Sequence, residues 1–227
     1  MRYNNTVAKM NILYEDNHII AAVKPQNLLS QSDISGDDDF LSQIKTYVRK
    51  KYNKPGEAYI GLVHRLDRPA GGMMVFARTS KAAARLAWQM KNGEFLKTYY
   101  AVISSPLLNS SGTLTDYLLK DAQSNTSRVV DSKALGAKIA VLDYEVLAQK
   151  DGFSLLKINL KTGRSHQIRV QFASRSASLV GDKRYGGLPA SGLCLWAFEL
   201  SFLHPTKKER LTFCCPPPSY FPWNLFF

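Results

Sequence analysis

Only three of the 227 residues are cysteine, and two of those, Cys214 and Cys215, are adjacent. An odd number at such spacing makes neither a disulfide framework nor a zinc site, so the thiols are expected to stay reduced and pack as small hydrophobes. Long apolar runs are also missing. Nothing approaches the roughly 20 apolar residues that a spanning helix needs, and the opening MRYNNTVAKMN lacks the apolar stretch of a secretion signal. The expectation is a cytoplasmic protein without membrane contact. Acidic residues are the third shortage: 18 Asp and Glu stand against 30 Lys and Arg, for a net charge of +12. That balance favours a polyanionic partner, because neutralising phosphates releases condensed counterions. The hydrophobic fraction of 45% suffices for one substantial core and excludes wholesale disorder.

What is present reads as a strand-heavy α+β chain. ILYED and HIIAAVK form an opening β-unit ending at Lys24-Pro25, followed by a polar loop over 26–37. Asp33, Asp37, Asp38 and Asp39 suggest a calcium loop, but neither the glycine of its sharp turn nor its bidentate glutamate is in place. Phe40, Leu41, Ile44 and Val48 recur at helical spacing, and the helix tail carries Lys45, Arg49, Lys50, Lys51 and Lys54, readable as a solvated face or as a binding patch. Thr79 or Ser80 caps a second helix whose face is Ala83, Leu86, Ala87 and Met90, with Gly93 as its stop. TYYAVIS is a strand, and 104–135 holds strand-like pieces whose order cannot be read. Strands over 139–147 and 153–160 meet at Asp151-Gly152, a hairpin signal. A helix is expected from near Gly163, burying Ile168 and Phe172. In the last long strand Cys194, Trp196, Phe198, Leu200 and Phe202 share a face. No repeat or linker divides the chain. It is expected to be one catalytic domain over 1–227, with strands and loop to 60, a core over 61–215 and a tail from 216.

Two segments place charges among turn residues. In His64-Arg65-Leu66-Asp67-Arg68-Pro69-Ala70-Gly71-Gly72 the proline and glycines shape a loop, and Arg65 and Arg68 flank Asp67 so as to favour its ionised form. A carboxylate so placed can serve as nucleophile or base; it can equally be an ion pair that braces a turn. In Thr162-Gly163-Arg164-Ser165-His166-Gln167-Ile168-Arg169, helical spacing would project His166 and Arg169 together. That pair could anchor a carboxylate or a phosphate, or simply face solvent.

HRLDRPAGG resembles the HRLDxxTSG motif of the RluA family of pseudouridine synthases, and the likeness extends along nearly the whole chain. Glu15-Asp16 to Lys24-Pro25 is similar to EDxxxxxxxKP, KTYYAV to KxYxAxV, TGRSHQIRVQ to TGRTHQIRVH, GDKRYG to GDxxYG, and Leu200 to Pro205 to LxFxHP. The resemblance implies the pseudouridine synthase fold, a mixed and mostly antiparallel sheet with flanking helices and a central cleft. It implies isomerisation of uridine in rRNA or tRNA, without cofactor or metal. Asp67 would be the essential carboxylate, Tyr99 the residue stacking on the target base, and Arg169 the partner of the carboxylate. Arg65 would enter the RNA stack as the uridine flips out, with Arg68 and Arg164 also meeting RNA, while His64 and His166 would be scaffolding. No separate RNA-binding domain precedes the catalytic region, so RNA binding is expected from this domain itself, acting as a monomer.

The chain departs from these patterns at four places. Ala70-Gly71 replaces Thr-Ser, Asn27 stands where glycine is common, Gln171 replaces His, and Trp196 stands where His is frequent. The first alters the bracing beside Asp67, and leaves room for a catalytically idle RNA chaperone of the same fold. A hydrolase using Asp67 with His64 or His166 lacks a nucleophile elbow or metal-ligand spacing.

Overall fold

The structure is a computed structural model that describes residues 10–104 and 109–227; the polar N-terminus and four residues of the 104–135 segment lie outside them. β1 (Ile12–Glu15) and β2 (Ile19–Lys24) form the expected antiparallel opening unit. The turn between them is closed by Asp16, which accepts from the backbone N–H of His18 (2.7 Å) and Ile19 (2.9 Å). α1 (Phe40–Lys51) starts where Asp39 accepts from the Ser42 N–H, and it buries Phe40, Ile44 and Val48 as the spacing predicts. Its basic tail is divided between the two readings: Lys51 is paired to Glu15 at 2.7 Å and Lys45 to Glu57 at 3.9 Å, while Arg49, Lys50 and Lys54 are exposed.

β3 (Gly61–Leu62) and β4 (Gly71–Ala77) follow, the latter buried along its whole length. α2 (Ser80–Lys91) is capped by Thr79, as expected, but its buried face is Ala82, Leu86 and Gln89, with Ala87 exposed. The face is turned because a polar side chain is wanted inside: Gln89 donates to the Leu203 carbonyl and accepts from the Leu203 N–H, both at 2.8 Å. β5 (Leu96–Ile103) contains the TYYAVI stretch. The unordered segment resolves into β6 (Ser111–Asp121) and β7 (Thr126–Val130), an antiparallel pair. β8 (Lys138–Lys150) and β9 (Phe153–Leu160) meet at Asp151-Gly152. Both turn residues have positive φ, 51° and 79°, as a twisted two-residue hairpin requires.

α3 (Gln167–Ala173) begins four residues later than expected. The Gln167 side chain ties the preceding turn by accepting from the Thr162 hydroxyl (2.7 Å) and the Arg164 N–H (3.0 Å), and His166 sits left-handed at φ 53°. Ile168 and Phe172 do share the core. β10 (Leu195–Leu203) and β11 (Arg210–Cys214) complete the sheet. Cys194, just before β10, and Trp196 and Phe198 on it enter one apolar cluster and Leu200 and Phe202 the next, both away from the core that holds Leu195 and Ala197.

Among the described residues, all eleven strands belong to one sheet, in the order β1-β2-β4-β10-β5-β9-β8-β6-β7, with β11 on β10 and β3 on β4. Every named pairing is antiparallel except β4 with β10. The mixed, mostly antiparallel α+β architecture is therefore the one expected. The strands β4, β10 and β5 at its middle carry both ends of the site described next. Among the described residues, no helix is long and apolar enough to cross a membrane.

Candidate active site

The segment 64–72 is a loop whose course is fixed by hydrogen bonds from outside it to His64, Leu66, Arg68 and Pro69. Ser30 grips Leu66 twice, its Oγ donating to the Leu66 carbonyl (2.7 Å) and accepting from the Leu66 N–H (3.0 Å). His64 Nε2 accepts from the Val75 N–H at 3.0 Å, so the ring is needed neutral, and burial together with the charge of Lys97 pulls its pKa down to about 3. The fully buried Lys24 ammonium donates to the carbonyls of Pro25 (2.9 Å), Leu28 (2.6 Å) and Arg68 (3.3 Å). Burial draws the pKa of Lys24 down to about 7, against the opposing charge of Asp67. Gln26 donates to the Pro69 carbonyl at 3.2 Å, and the Ala70 N–H closes a turn onto the Asp67 carbonyl at 3.0 Å. Asn27 explains one departure from the family pattern: its φ of 63° suits glycine best and asparagine next.

Asp67 is the exception on this loop, because its side chain is left free to face a cleft of about 890 Å³. It accepts from Arg169 Nη1 at 3.2 Å, has His166 Nε2 at 3.9 Å, and keeps a quarter (26%) of its side chain exposed. Arg169 is itself buried, with its other edge locked onto Asp182: Nε donates to Oδ2 and Nη2 to Oδ1, both at 2.7 Å. Burial opposes charge on Arg169, yet the hydrogen bonds and charges of Asp182 and Asp67 outweigh it and raise the pKa. The Tyr185 ring lies 5.1 Å from the guanidinium, and its hydroxyl meets His166 Nδ1 at 2.9 Å. Burial holds His166 toward its neutral form, with the Asp67 charge pulling the other way.

Tyr99, on β5, lines the same cleft. It is 6% exposed, and burial first, then the Asp67 charge, raises its pKa and keeps the hydroxyl protonated. Asp67, Tyr99 and Arg169, expected to act together, are thus brought to one cleft from a loop, a strand and a helix 102 positions apart at the extremes. Arg65 is exposed at the cleft and makes no ion pair with Asp67, whose close neighbours are the Arg169 guanidinium and the His166 ring. Arg68 also lines it, but is committed to Asp37 at 2.7 Å. Arg164 is exposed and donates through Nε alone to the Ile139 carbonyl. Asp37 and Asp39, read above against a calcium loop, serve as the partner of Arg68 and the cap of α1.

Sequence reasoning assigned no role to Asp182, Tyr185, Lys24 or Ser30. The first two lie in the GDKRYG segment and the third in the opening segment, where the motif marks them but only the fold supplies their partners. Gln171, another departure, is fully buried and donates to Asp116 at 2.8 Å, tying α3 to β6.

Known proteins resemble this chain in sequence and in fold. The family model for RNA pseudouridylate synthase matches residues 18–174. An uncharacterized RNA pseudouridine synthase of Bacillus subtilis, YhcT, is 33% identical over 218 residues, covering 93% of this chain and 70% of that one. The dual-specificity RNA pseudouridine synthase RluA of Haemophilus influenzae is 32% identical over 210 residues, 90% of this chain and 91% of its own. Among solved structures, human RNA pseudouridylate synthase domain containing 4 superposes with a TM-score of 0.79 over 95% of this chain and 91% of that one, at 20% identity, a likeness of fold. The chain belongs to the RNA pseudouridylate synthase family, on its RluA branch.

Proposed function

We propose that this RNA pseudouridine synthase isomerises uridine in rRNA, tRNA or both, with Asp67 as its catalytic carboxylate. The observation that carries the reading is a carboxylate with a single hydrogen bond, open to a basic cleft and backed by a buried guanidinium. The named relatives supply the substrate class: Haemophilus influenzae proteins similar to this chain are called a ribosomal large subunit pseudouridine synthase and a dual-specificity RNA pseudouridine synthase.

In this reading the target uridine leaves its stack and enters the cleft. Extrusion costs a few kcal/mol, less from a loop than from a duplex, and the unpaired Arg65 guanidinium offsets part of it by filling the vacated place. Arg164 and Arg68 meet flanking phosphates, Arg68 by exchanging Asp37 for RNA. Tyr99 stacks on the flipped base, and its protonated hydroxyl is a donor for proton transfer. Asp67 attacks ribose or base, or assists glycosidic cleavage. The bond from ribose to nitrogen breaks, the uracil turns, a bond from ribose to carbon forms, and that carbon releases its proton while the freed ring nitrogen ends with one, so the product is an isomer of the substrate. No electrons or phosphate change hands, so the reaction needs no cofactor. Arg169 fixes the carboxylate through a planar contact that Lys cannot reproduce. Residues 1–227 work as one catalytic domain and as a monomer.

The test is Asp67→Asn assayed on cellular rRNA and tRNA. Pseudouridine formation should vanish while RNA binding persists. Turnover in the variant removes Asp67 from its role, and absence of turnover in the unaltered protein favours an idle RNA-binding protein.

A further inference from the structure

Two of the departures from the family pattern meet in space. Gly71, where the motif has serine, and Trp196, where histidine is frequent, are register partners across the parallel pairing of β4 and β10. A Cβ on Gly71 would lie 2.4 Å from Trp196 Cζ3 and 3.0 Å from Cε3, closer than any side chain tolerates. Both atoms belong to the six-membered ring of the indole, the part that an imidazole lacks. Position 71 is bare because position 196 is large.

The indole cannot simply swing aside. Its N–H donates to the Cys215 carbonyl at 2.9 Å, and it is packed in a cluster with Val102, Cys194 and the fully buried Trp223 of the C-terminal tail. The contact also sits at a critical point of the frame. Ala197, the next residue, faces Gly72 on one side and Tyr99 on the other, so β10 sets the spacing between the catalytic loop and the tyrosine. Gly72 has a φ of 116°, and a Cβ there would be 2.3 Å from the Ala197 carbonyl oxygen. The double glycine lets the loop lie directly on β10, and Trp196 closes over it from behind the cleft.

We propose that Trp196 is a positioning residue, holding the loop of Asp67 at its working distance from Tyr99 by filling the volume that the side chain at position 71 takes in the family motif. The proposal rests on the assignment of Asp67 above. Displacements of about 1 Å at such a site cost on the order of 100-fold in rate, so the effect belongs in turnover and not in RNA affinity.

The experiment is a double-mutant cycle of Gly71→Ser, Trp196→His and the two combined, read by single-turnover pseudouridine formation, RNA affinity and melting temperature. Each single variant should lose roughly tenfold or more in rate with affinity kept within about twofold, and the combination should regain most of that loss. Recovery stops short of complete because Gln26 Cγ, 2.9 Å from the same Cβ position, must also give way, and Gln26 is held by Tyr220 at 2.6 Å. Rates that multiply independently, or a wild-type rate in Trp196→His, overturn the proposal. If Trp196→His fails to fold, Gly71→Ala with Trp196→Leu repeats the cycle with apolar side chains. Asp67→Asn and the unaltered protein run alongside. An inactive unaltered protein sinks the chemistry alone, while additive melting temperatures sink the contact whatever the chemistry.

Discussion

The arginines Arg78 and Arg169 both pair with carboxylates, and of these two clusters only that of Arg169 faces a cleft. At the outer end of the sheet, Arg78 meets Glu15 at 3.2 Å, both side chains being under 10% exposed. Glu15 there also accepts from Tyr47 (2.9 Å), Lys51 (2.7 Å) and Tyr52 (2.7 Å), which fills its two oxygens. Asp182 is filled in the same way, with two bonds from Arg169 and two from the N–H groups of Arg184 (3.1 Å) and Tyr185 (3.2 Å). Among the described residues, Asp67 accepts one hydrogen bond, from the same Arg169. A carboxylate whose lone pairs are used up holds a fold together, whereas one left under-bonded beside a rigid cation can still react. The pairing with arginine is common to both clusters, and the vacancy distinguishes them.

The sharpest break of that comparison is to neutralise each carboxylate in turn. Asp67→Asn should lower pseudouridine formation by about a thousandfold or more while leaving the melting temperature near wild type. Glu15→Gln should do the reverse, costing about 3 kcal/mol in urea unfolding as buried charges lose their partner, with turnover per folded molecule unchanged. Asp182→Asn lies between them. It leaves Arg169 buried and half-paired, so a stability loss of about 3–5 kcal/mol should come with reduced turnover. Unchanged stability there would mean that Asp67 alone satisfies the guanidinium. Arg169→Lys keeps the charge and loses the planar fork, for an expected rate loss of about ten- to a hundredfold with a smaller stability cost.

His64 supplies a pH test of the loop that carries Asp67. Its folded pKa, about 3, lies below the ordinary value of 6.5. Between those values the unfolded chain binds a proton that the folded chain does not, so stability falls as the pH is lowered through that window. His64→Gln should flatten this slope, measured as the urea midpoint against pH. At the cleft rim the smallest effect is expected: Arg164→Ala should weaken RNA binding evenly across sequences and reduce the salt slope of log affinity by about one. A slope that stays the same would take Arg164 off the phosphates.

Much of the fold was legible because its signals are local. The Thr79 cap, the Asp151-Gly152 turn and the alternation along β10 each follow from residues a few positions apart. The face of α2 was misread because Gln89 goes inward to bond Leu203, a partner 114 positions away. α3 starts late for a related reason, since Gln167 spends its side chain on the turn that precedes the helix. At the site, Asp67, Tyr99 and Arg169 could be named from motifs, but Asp182 could not be given a role before Arg169 was seen lying against it.

Taken by itself, the amino-acid order determined the basic charge, the period of α1 and of the long strand β10, the loop character of the segment around Asp67 and the family to which these motifs belong. Only the tertiary structure decided which charges are satisfied and which remain open. It also decided that bare Gly71 and bulky Trp196 are one feature and not two. The physical reason is that hydrogen-bond saturation and steric fit are properties of pairs, and the decisive pairs here join residues that only the folded sheet brings together.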